Sequence, residues 1–86
     1  MPMYYVYIFK SAKDRKLYIG STDYLRARLK KHNDGKVPST KPRRPFTLRY
    51  YEAYSAEADA RKREKNLKLY SRAYTQLKKR IVRSIA

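Results

Sequence analysis

The chain has no cysteine, little glycine and few acidic residues. Its 86 residues include no cysteine and no tryptophan, 2 glycines, and 7 aspartates and glutamates. Without cysteine there can be no disulfide, thiolate zinc site or cysteine nucleophile, so packing must hold the fold. No apolar run approaches the roughly 20 residues that cross a bilayer, and the first residues lack the pattern of an export signal. These absences favour the reducing cytoplasm, where we expect the protein to be located.

Positive charge, in contrast, is abundant. The 23 lysines and arginines give a net charge of +16. A surface with this charge attracts polyanions, so nucleic acid is the expected partner. An anionic membrane surface ranks second, and a polyphosphate or an acidic protein ranks third.

The aromatic and apolar pattern predicts one α+β domain over residues 1–86. Aromatic and β-branched runs are typical of strands, and apolar residues at spacings of three and four are typical of helices. The expected order is ββαβαα: a small three-stranded sheet, antiparallel or mixed, flanked by three helices. Its core spans about residues 3–68, and a C-terminal packing helix spans about residues 71–85. Four serine and threonine residues are expected to cap the helices: Ser21 or Thr22, Ser55 and Ser71.

The first two strands are expected to form a hairpin. A tight loop near residues 12–13 would place Tyr7 opposite Tyr18, and Tyr5 opposite Gly20. Since side chains two residues apart share a face of a sheet, an aromatic set would lie on one face and an aliphatic set on the other. The first set is Tyr5, Tyr7, Phe9, Tyr18 and Gly20, and the second is Val6, Ile8 and Ile19.

Two three-residue motifs and three single residues together resemble a known family. They are Tyr5-Val6-Tyr7, then Tyr18-Ile19-Gly20, then Arg28, His32 and, on a later helix, Glu64. With this spacing the chain resembles the GIY-YIG nuclease module, which occurs in the nuclease part of the bacterial excinuclease, in phage homing endonucleases and in small stand-alone proteins. Each three-residue motif is weak alone, but the joint spacing is specific, and the resemblance covers nearly the whole predicted core.

The resemblance implies metal-dependent cleavage of phosphodiester bonds in DNA, in a process such as repair or recombination. One divalent cation, Mg²⁺ or Mn²⁺, would be used, and RNA ranks behind DNA as the nucleic acid bound. Glu64 would be the metal ligand, and Tyr7 would position or deprotonate the attacking water. Tyr18 would support that network, and Arg28 would neutralise charge on the scissile phosphate. His32 would relay a proton or orient a tyrosine. Oxygen ligands with open water positions suit Mg²⁺, and the planar guanidinium matches phosphate oxygens.

Two departures from the family pattern leave an alternative open. Tyr5 replaces the glycine that opens the first motif, and no asparagine stands a dozen residues past Glu64, where many nuclease members have one. The alternative is a non-catalytic nucleic-acid-binding module on the same fold. In that case Glu64 could merely pair with Lys68, four residues later on the helix. A third hypothesis, ranked low, places the last helix on an anionic membrane surface.

Two basic segments, residues 36–44 and 61–68, are expected to contact the phosphate backbone together with nearby lysines. Such contacts position the protein without reading the base sequence. The loop residues among them are expected to be free to follow phosphates. The candidates are Lys16, Lys31, Lys41, Arg43, Arg44, Arg61, Lys65 and Lys68. Selectivity would be weak or supplied by a protein partner, and we expect a monomer.

Overall fold

A computed structural model describes residues 2–86 and has the α+β architecture predicted from the sequence. The elements are β1 (Tyr4–Ser11), β2 (Leu17–Thr22), α1 (Leu25–Asn33), β3 (Phe46–Tyr54), α2 (Glu57–Leu69) and α3 (Ser71–Arg80), with a 3₁₀ turn at Lys41–Arg43. The sheet has the order β2-β1-β3, and both pairings are antiparallel. The choice between an antiparallel and a mixed sheet is thereby settled.

The register of the β1–β2 hairpin differs from the expected one by two residues. Tyr7 lies opposite Gly20, and Phe9 lies opposite Tyr18. The expected pairing of Tyr7 with Tyr18 was therefore wrong. Because side chains alternate with a period of two, a shift of two keeps every residue on its predicted face.

The loop between these strands explains the shift. The backbone N–H of Ser11 donates to the carbonyl of Lys16 at 3.0 Å, so the connection has four residues and not two. The Ser11 hydroxyl oxygen accepts hydrogen bonds from the N–H groups of Lys13 and Asp14, both at 3.1 Å. Arg15 adopts a left-handed conformation with φ of 62°. A short polar side chain that bonds its own turn thus selects the longer loop.

Each face of the sheet carries its own apolar core. One face packs against α2 and α3 through Val6, Ile8, Ile19, Ala60, Leu67 and Leu77. The other packs against α1 through Tyr7, Phe9 and Phe46, with Tyr18, Leu25 and Leu29 partly buried around them. The predicted division into an aromatic and an aliphatic face is confirmed.

The helix starts were less well predicted. The N-cap residues are Tyr24, Ala56 and Tyr70, and none caps its helix with a side-chain hydrogen bond. Ser21 and Thr22 belong to β2, since pairing with β1 continues to the end of that strand. The last helix ends at Arg80 and not near residue 85, although the predicted apolar stripe still packs on the core.

The segment between α1 and β3 is fastened at both ends. The Asn33 side chain donates to the carbonyl of Phe46 at 3.0 Å and accepts from its N–H at 2.7 Å. The Ser11 hydroxyl donates to the carbonyl of Arg43, and the N–H of Ala12 donates to that of Pro45. This segment therefore packs against the hairpin turn and carries the buried side chain of Thr40 into the site.

Candidate active site

Tyr7 lies at the centre of the site, because Gly20 leaves room for its ring. A Cβ at position 20 would overlap the Tyr7 hydroxyl and the ring carbon that bears it. The ring stacks on Phe9 with centroids 4.1 Å apart. Its hydroxyl oxygen accepts a long hydrogen bond, 3.4 Å, from Nε of Arg28. The glycine of the second motif is thus required to let the tyrosine of the first reach the sheet edge.

The environment of Tyr7 favours the neutral phenol. Burial raises the pKa of the Tyr7 hydroxyl, and the hydrogen bond from Arg28 offsets this only in part. The neighbouring Tyr18 and the Glu64 carboxylate raise it further. At neutral pH Tyr7 is therefore protonated and able both to donate and to accept a hydrogen bond. This state suits positioning a water molecule better than deprotonating it.

His32 is fully buried beneath the tyrosines. Its ring packs edge-on to Tyr18 with centroids 5.1 Å apart, and also contacts Phe9 and Phe46. Its Nδ1 lies 2.7 Å from Oγ1 of Thr40. Desolvation, with further contributions from the nearby cationic side chains, lowers the pKa of His32. The imidazole is therefore neutral at physiological pH.

The partners of Thr40 assign the tautomer of His32. The Thr40 hydroxyl donates to the carbonyl of Val37 at 3.4 Å, so its oxygen accepts from Nδ1–H. Nε2 then carries a lone pair, and this buried nitrogen has no hydrogen-bond partner among residues 2–86. Because the His32 ring is neutral and is held at one nitrogen, it is suited to orienting Tyr18 and not to carrying a positive charge.

Glu64 extends from α2 to the edge strand β2. Its Oε1 accepts a hydrogen bond from the Ser21 hydroxyl at 2.7 Å, and its Oε2 pairs with Nζ of Lys68 at 2.8 Å. The side chain is 22% exposed. Lys68 and Ser21 lower the pKa of the Glu64 carboxyl against the opposing effect of burial. The carboxylate is ionised at neutral pH and is held at the sheet edge, away from bulk solvent.

The two parts of the site meet at consecutive residues. Gly20 lies under the Tyr7 hydroxyl on one face of the sheet, and Ser21 holds Glu64 on the other. Adjacent Cα atoms are about 3.8 Å apart, so both groups converge on one short stretch of an edge strand. The Glu64 carboxylate lies close enough to make a small contribution to the raised pKa of Tyr7.

The oxygen donors at this edge suit a hard cation that keeps most of its water. No cluster of three or more His, Cys, Asp or Glu side chains that could hold a metal occurs within residues 2–86. The available donors are the Glu64 carboxylate and the Ser21 hydroxyl. Mg²⁺ is commonly bound by one or two carboxylates together with waters and substrate phosphates. The donor set fits such a site if the half-exposed ammonium of Lys68 releases Oε2.

The basic residues predicted to contact nucleic acid fall into two groups. Six are exposed: Lys16, Lys31, Lys41, Arg61, Lys65 and Lys68. Arg43 is not free, because its Nε donates to Asp14 at 2.6 Å and its guanidinium lies over the Phe46 ring. Arg44 donates to the carbonyl of Lys41. Two arginines of this loop are therefore held by contacts within the protein, and their contact with phosphates stays a prediction.

Two residues of the site were missed by reading the sequence. Ser21 was interpreted as a helix cap. Its position directly after Gly20 of the second motif could have identified it as a residue of the site. Thr40 lies in a basic, proline-containing segment and gave no signal, because its contact with His32 depends on the folded loop.

Comparison with known proteins identifies the family. A sequence model of the GIY-YIG catalytic domain matches residues 3–80, and the chain belongs to this family. It is 45% identical over 73 residues to a UPF0213 protein of Staphylococcus haemolyticus, and 44% and 42% identical over the same length to UPF0213 proteins of Staphylococcus epidermidis and Staphylococcus aureus. Each match covers 84% of this chain and 88% of the relative. No solved structure matches the chain significantly.

The family is one of nuclease-type domains, which generally use divalent metal ions and act on nucleic acid. The names of the UPF0213 relatives state no activity. Among residues 2–86, no helix combines the length and the apolar character needed to cross a membrane.

Proposed function

We propose that this protein is a metal-dependent endonuclease that hydrolyses phosphodiester bonds in DNA. The observation that carries the proposal is the convergence of Tyr7, Arg28 and Glu64 on the Gly20–Ser21 stretch of β2. Arg28 supplies a guanidinium for a phosphate, Tyr7 supplies a neutral phenol for a water molecule, and Glu64 supplies a carboxylate for a cation.

Arg28 would bind the scissile phosphate. Its pKa is raised, chiefly by the hydrogen bond to Tyr7 and by the nearby Tyr18, so it stays cationic throughout. The guanidinium has five N–H donors, and Tyr7 uses only Nε, so the fork retains donors for phosphate oxygens. Charge that develops on the phosphate during attack would thus be offset without any rearrangement of the site.

Glu64 would hold the divalent cation, with Ser21 fixing its orientation. A cation held there would supply Lewis acidity to a phosphoryl oxygen and to a water molecule. The water oxygen would bond to phosphorus while the bond from phosphorus to the leaving sugar oxygen breaks. The proton lost by the water would pass to solvent, and the leaving oxygen would take up a proton from solvent. The Tyr7 hydroxyl orients this water, while the neutral His32 keeps Tyr18 in place beside it.

The alternative is a binding module that does not cut. The Glu64–Lys68 ion pair favours it, since this pair occupies the oxygen that a metal would need. The position a dozen residues past Glu64 holds the exposed Gln76 of α3 and not an asparagine. Exposed pairs at this spacing contribute only about 0.3–0.5 kcal/mol. The Lys68 side chain is half exposed, so a cation that binds with the substrate can displace it.

The test is nicking of supercoiled DNA by the full chain with Mg²⁺, with Mn²⁺ and with EDTA. We expect metal-dependent nicks that Glu64→Gln reduces by at least about 100-fold. Glu57→Gln is the matched control, because Glu57 also lies on α2 and also pairs with a cation four residues later. Equal nicking by wild type and Glu64→Gln would contradict the role proposed for Glu64. No nicking at all by protein that binds DNA would favour the binding module.

A further inference from the structure

The sheet face that carries Tyr7 is only half covered. The nine residues of α1 pack over Phe9 and Phe46 at one end of this face. At the other end Tyr51, which pairs directly with Tyr7 across β1 and β3, is 51% exposed. Its ring contacts Tyr5 edge-on with centroids 5.7 Å apart. The aromatic face therefore continues beyond the candidate active site into solvent.

A bulge in β3 widens this open surface. Ile8 pairs with Tyr50 and Phe9 pairs with Leu48, so one extra residue of β3 lies between the two pairs. In a regular strand, residues three apart point to opposite faces. The bulge brings Leu48 to the same face as Tyr51, and bulges next to active sites commonly redirect side chains in this way.

Together these side chains line a groove beside the active site. The groove has a volume of about 420 Å³, and its walls include Tyr5, Tyr24, Arg26, Leu48 and Tyr51. Tyr24 is 65% exposed and Leu48 is 37% exposed. Clustered exposed aromatic side chains on a strongly basic domain are typical of a binding surface and not of ordinary solvated surface.

We propose that this groove, lined by Tyr24, Leu48 and Tyr51, binds an unpaired nucleobase next to the scissile phosphate. The inference rests on the proposed function, since it places the nucleic acid at Tyr7 and Arg28. Arg28 contacts the Tyr7 hydroxyl, and Tyr51 pairs with Tyr7 across the sheet, so a phosphate at Arg28 and a base on Tyr51 would both lie next to Tyr7. Tyrosine rings stack on any base, and Arg26 at the wall supplies charge for the adjoining phosphate.

The charge of the chain favours nucleic acid as the occupant. A second copy would bring another +16 to the same surface, which opposes self-association. Bases within a duplex stack on their neighbours, so their faces cannot enter the groove. The groove therefore predicts a preference for substrates that present an unpaired segment over fully paired DNA.

The test measures binding in EDTA, so that it does not depend on cleavage. A mixed-sequence single-stranded oligonucleotide and the blunt duplex of the same sequence are titrated with the full chain, with anisotropy as the readout. We expect Tyr51→Ala and Tyr24→Ala each to weaken single-strand binding by about 5- to 100-fold, with duplex binding changed less than twofold. Tyr51→Phe should retain affinity, because the ring stacks and the hydroxyl does not.

Tyr70→Ala is the matched control, since Tyr70 is 60% exposed but lies at the junction of α2 and α3. An equal loss of affinity for both forms of DNA, or no loss for either, would overturn the inference. So would sedimentation showing that the groove variants abolish a dimer, because a second copy would then be the occupant. If binding behaves as expected while nicking is absent, the groove stands and the nuclease proposal fails.

Discussion

Two carboxylates lie at opposite edges of the sheet, and their surroundings differ. Glu52 on β3 accepts two hydrogen bonds from Arg63, at 2.9 and 3.0 Å, and one each from the hydroxyls of Tyr50 and Tyr54. Its side chain is only 15% exposed. Glu64 on α2 has one hydroxyl and one half-exposed lysine as partners.

Consecutive residues of α2 produce this contrast. Arg63 points to the β3 edge, and Glu64 points to the β2 edge. The first carboxylate is fully satisfied by partners that are themselves partly buried, so it can only stabilise the fold. The second keeps a weakly held oxygen, so it can exchange a lysine for a cation. Both carboxylates are ionised, but the partners of Glu52 suit a structural role and those of Glu64 suit the metal-binding role proposed for it.

The largest effect on stability is expected from removal of Glu52. Glu52→Ala leaves Arg63 and two tyrosine hydroxyls without their acceptor in a mostly buried place, and we expect a loss of about 3–5 kcal/mol in the free energy of unfolding. Glu64→Ala should cost less than about 1 kcal/mol, because its partner is exposed. Urea unfolding of both variants measures the difference. Equal losses would remove the distinction between the two sites.

The pH dependence of unfolding should report the Glu52 cluster. Arg63 and the two tyrosines lower the pKa of Glu52 despite burial, so its contribution is complete above about pH 4.5 and is lost as the pH falls below that value. Burial and the adjacent carboxylate raise the pKa values of Tyr50 and Tyr54 to about 12. Their contribution is complete below pH 10 and is lost between pH 10 and 12. We subtract the unfolding free energy of Glu52→Gln from that of the wild type at each pH. The difference should fall at both acid and alkaline pH, and a difference that does not change with pH would contradict this assignment.

A smaller effect is expected at Thr40, which holds His32. Thr40→Val removes the acceptor of Nδ1–H and leaves a buried donor unpaired, at a cost of about 1–3 kcal/mol. Thr40→Ser keeps the hydroxyl and should restore most of the stability. ¹⁵N NMR of the imidazole should show Nδ1 protonated in the wild type and in Thr40→Ser. Protonation of Nε2 instead of Nδ1 in the wild type would exclude the proposed hydrogen bond from Nδ1–H of His32 to Thr40.

The smallest effect is expected from single surface charges next to Glu64. Lys65→Ala should weaken DNA binding slightly and reduce the slope of log K against log salt by about 1. Lys65→Arg keeps the charge and should keep the slope. An unchanged slope for the alanine variant would place the DNA away from this part of α2.

The sequence predicted the faces of the sheet but not the details that complete the site. Strand alternation placed Tyr7 and Tyr18 on one face correctly, because this property survives a shift of two residues. The register depended on hydrogen bonds within the turn from Ser11, which no periodicity reveals. The partner of Glu64 is 43 residues away along the chain, so only the packing of α2 on the sheet could identify Ser21.

We propose that Glu64 takes part in catalysis and that Glu52 stabilises the fold. The most direct test is the single-turnover nicking rate of Glu64→Gln at saturating DNA, with its melting temperature measured on the same preparation. We expect a rate at least about 100-fold below wild type, with DNA affinity and melting temperature nearly unchanged. A rate within tenfold of wild type, or a loss of rate that follows a loss of folded protein, would contradict it.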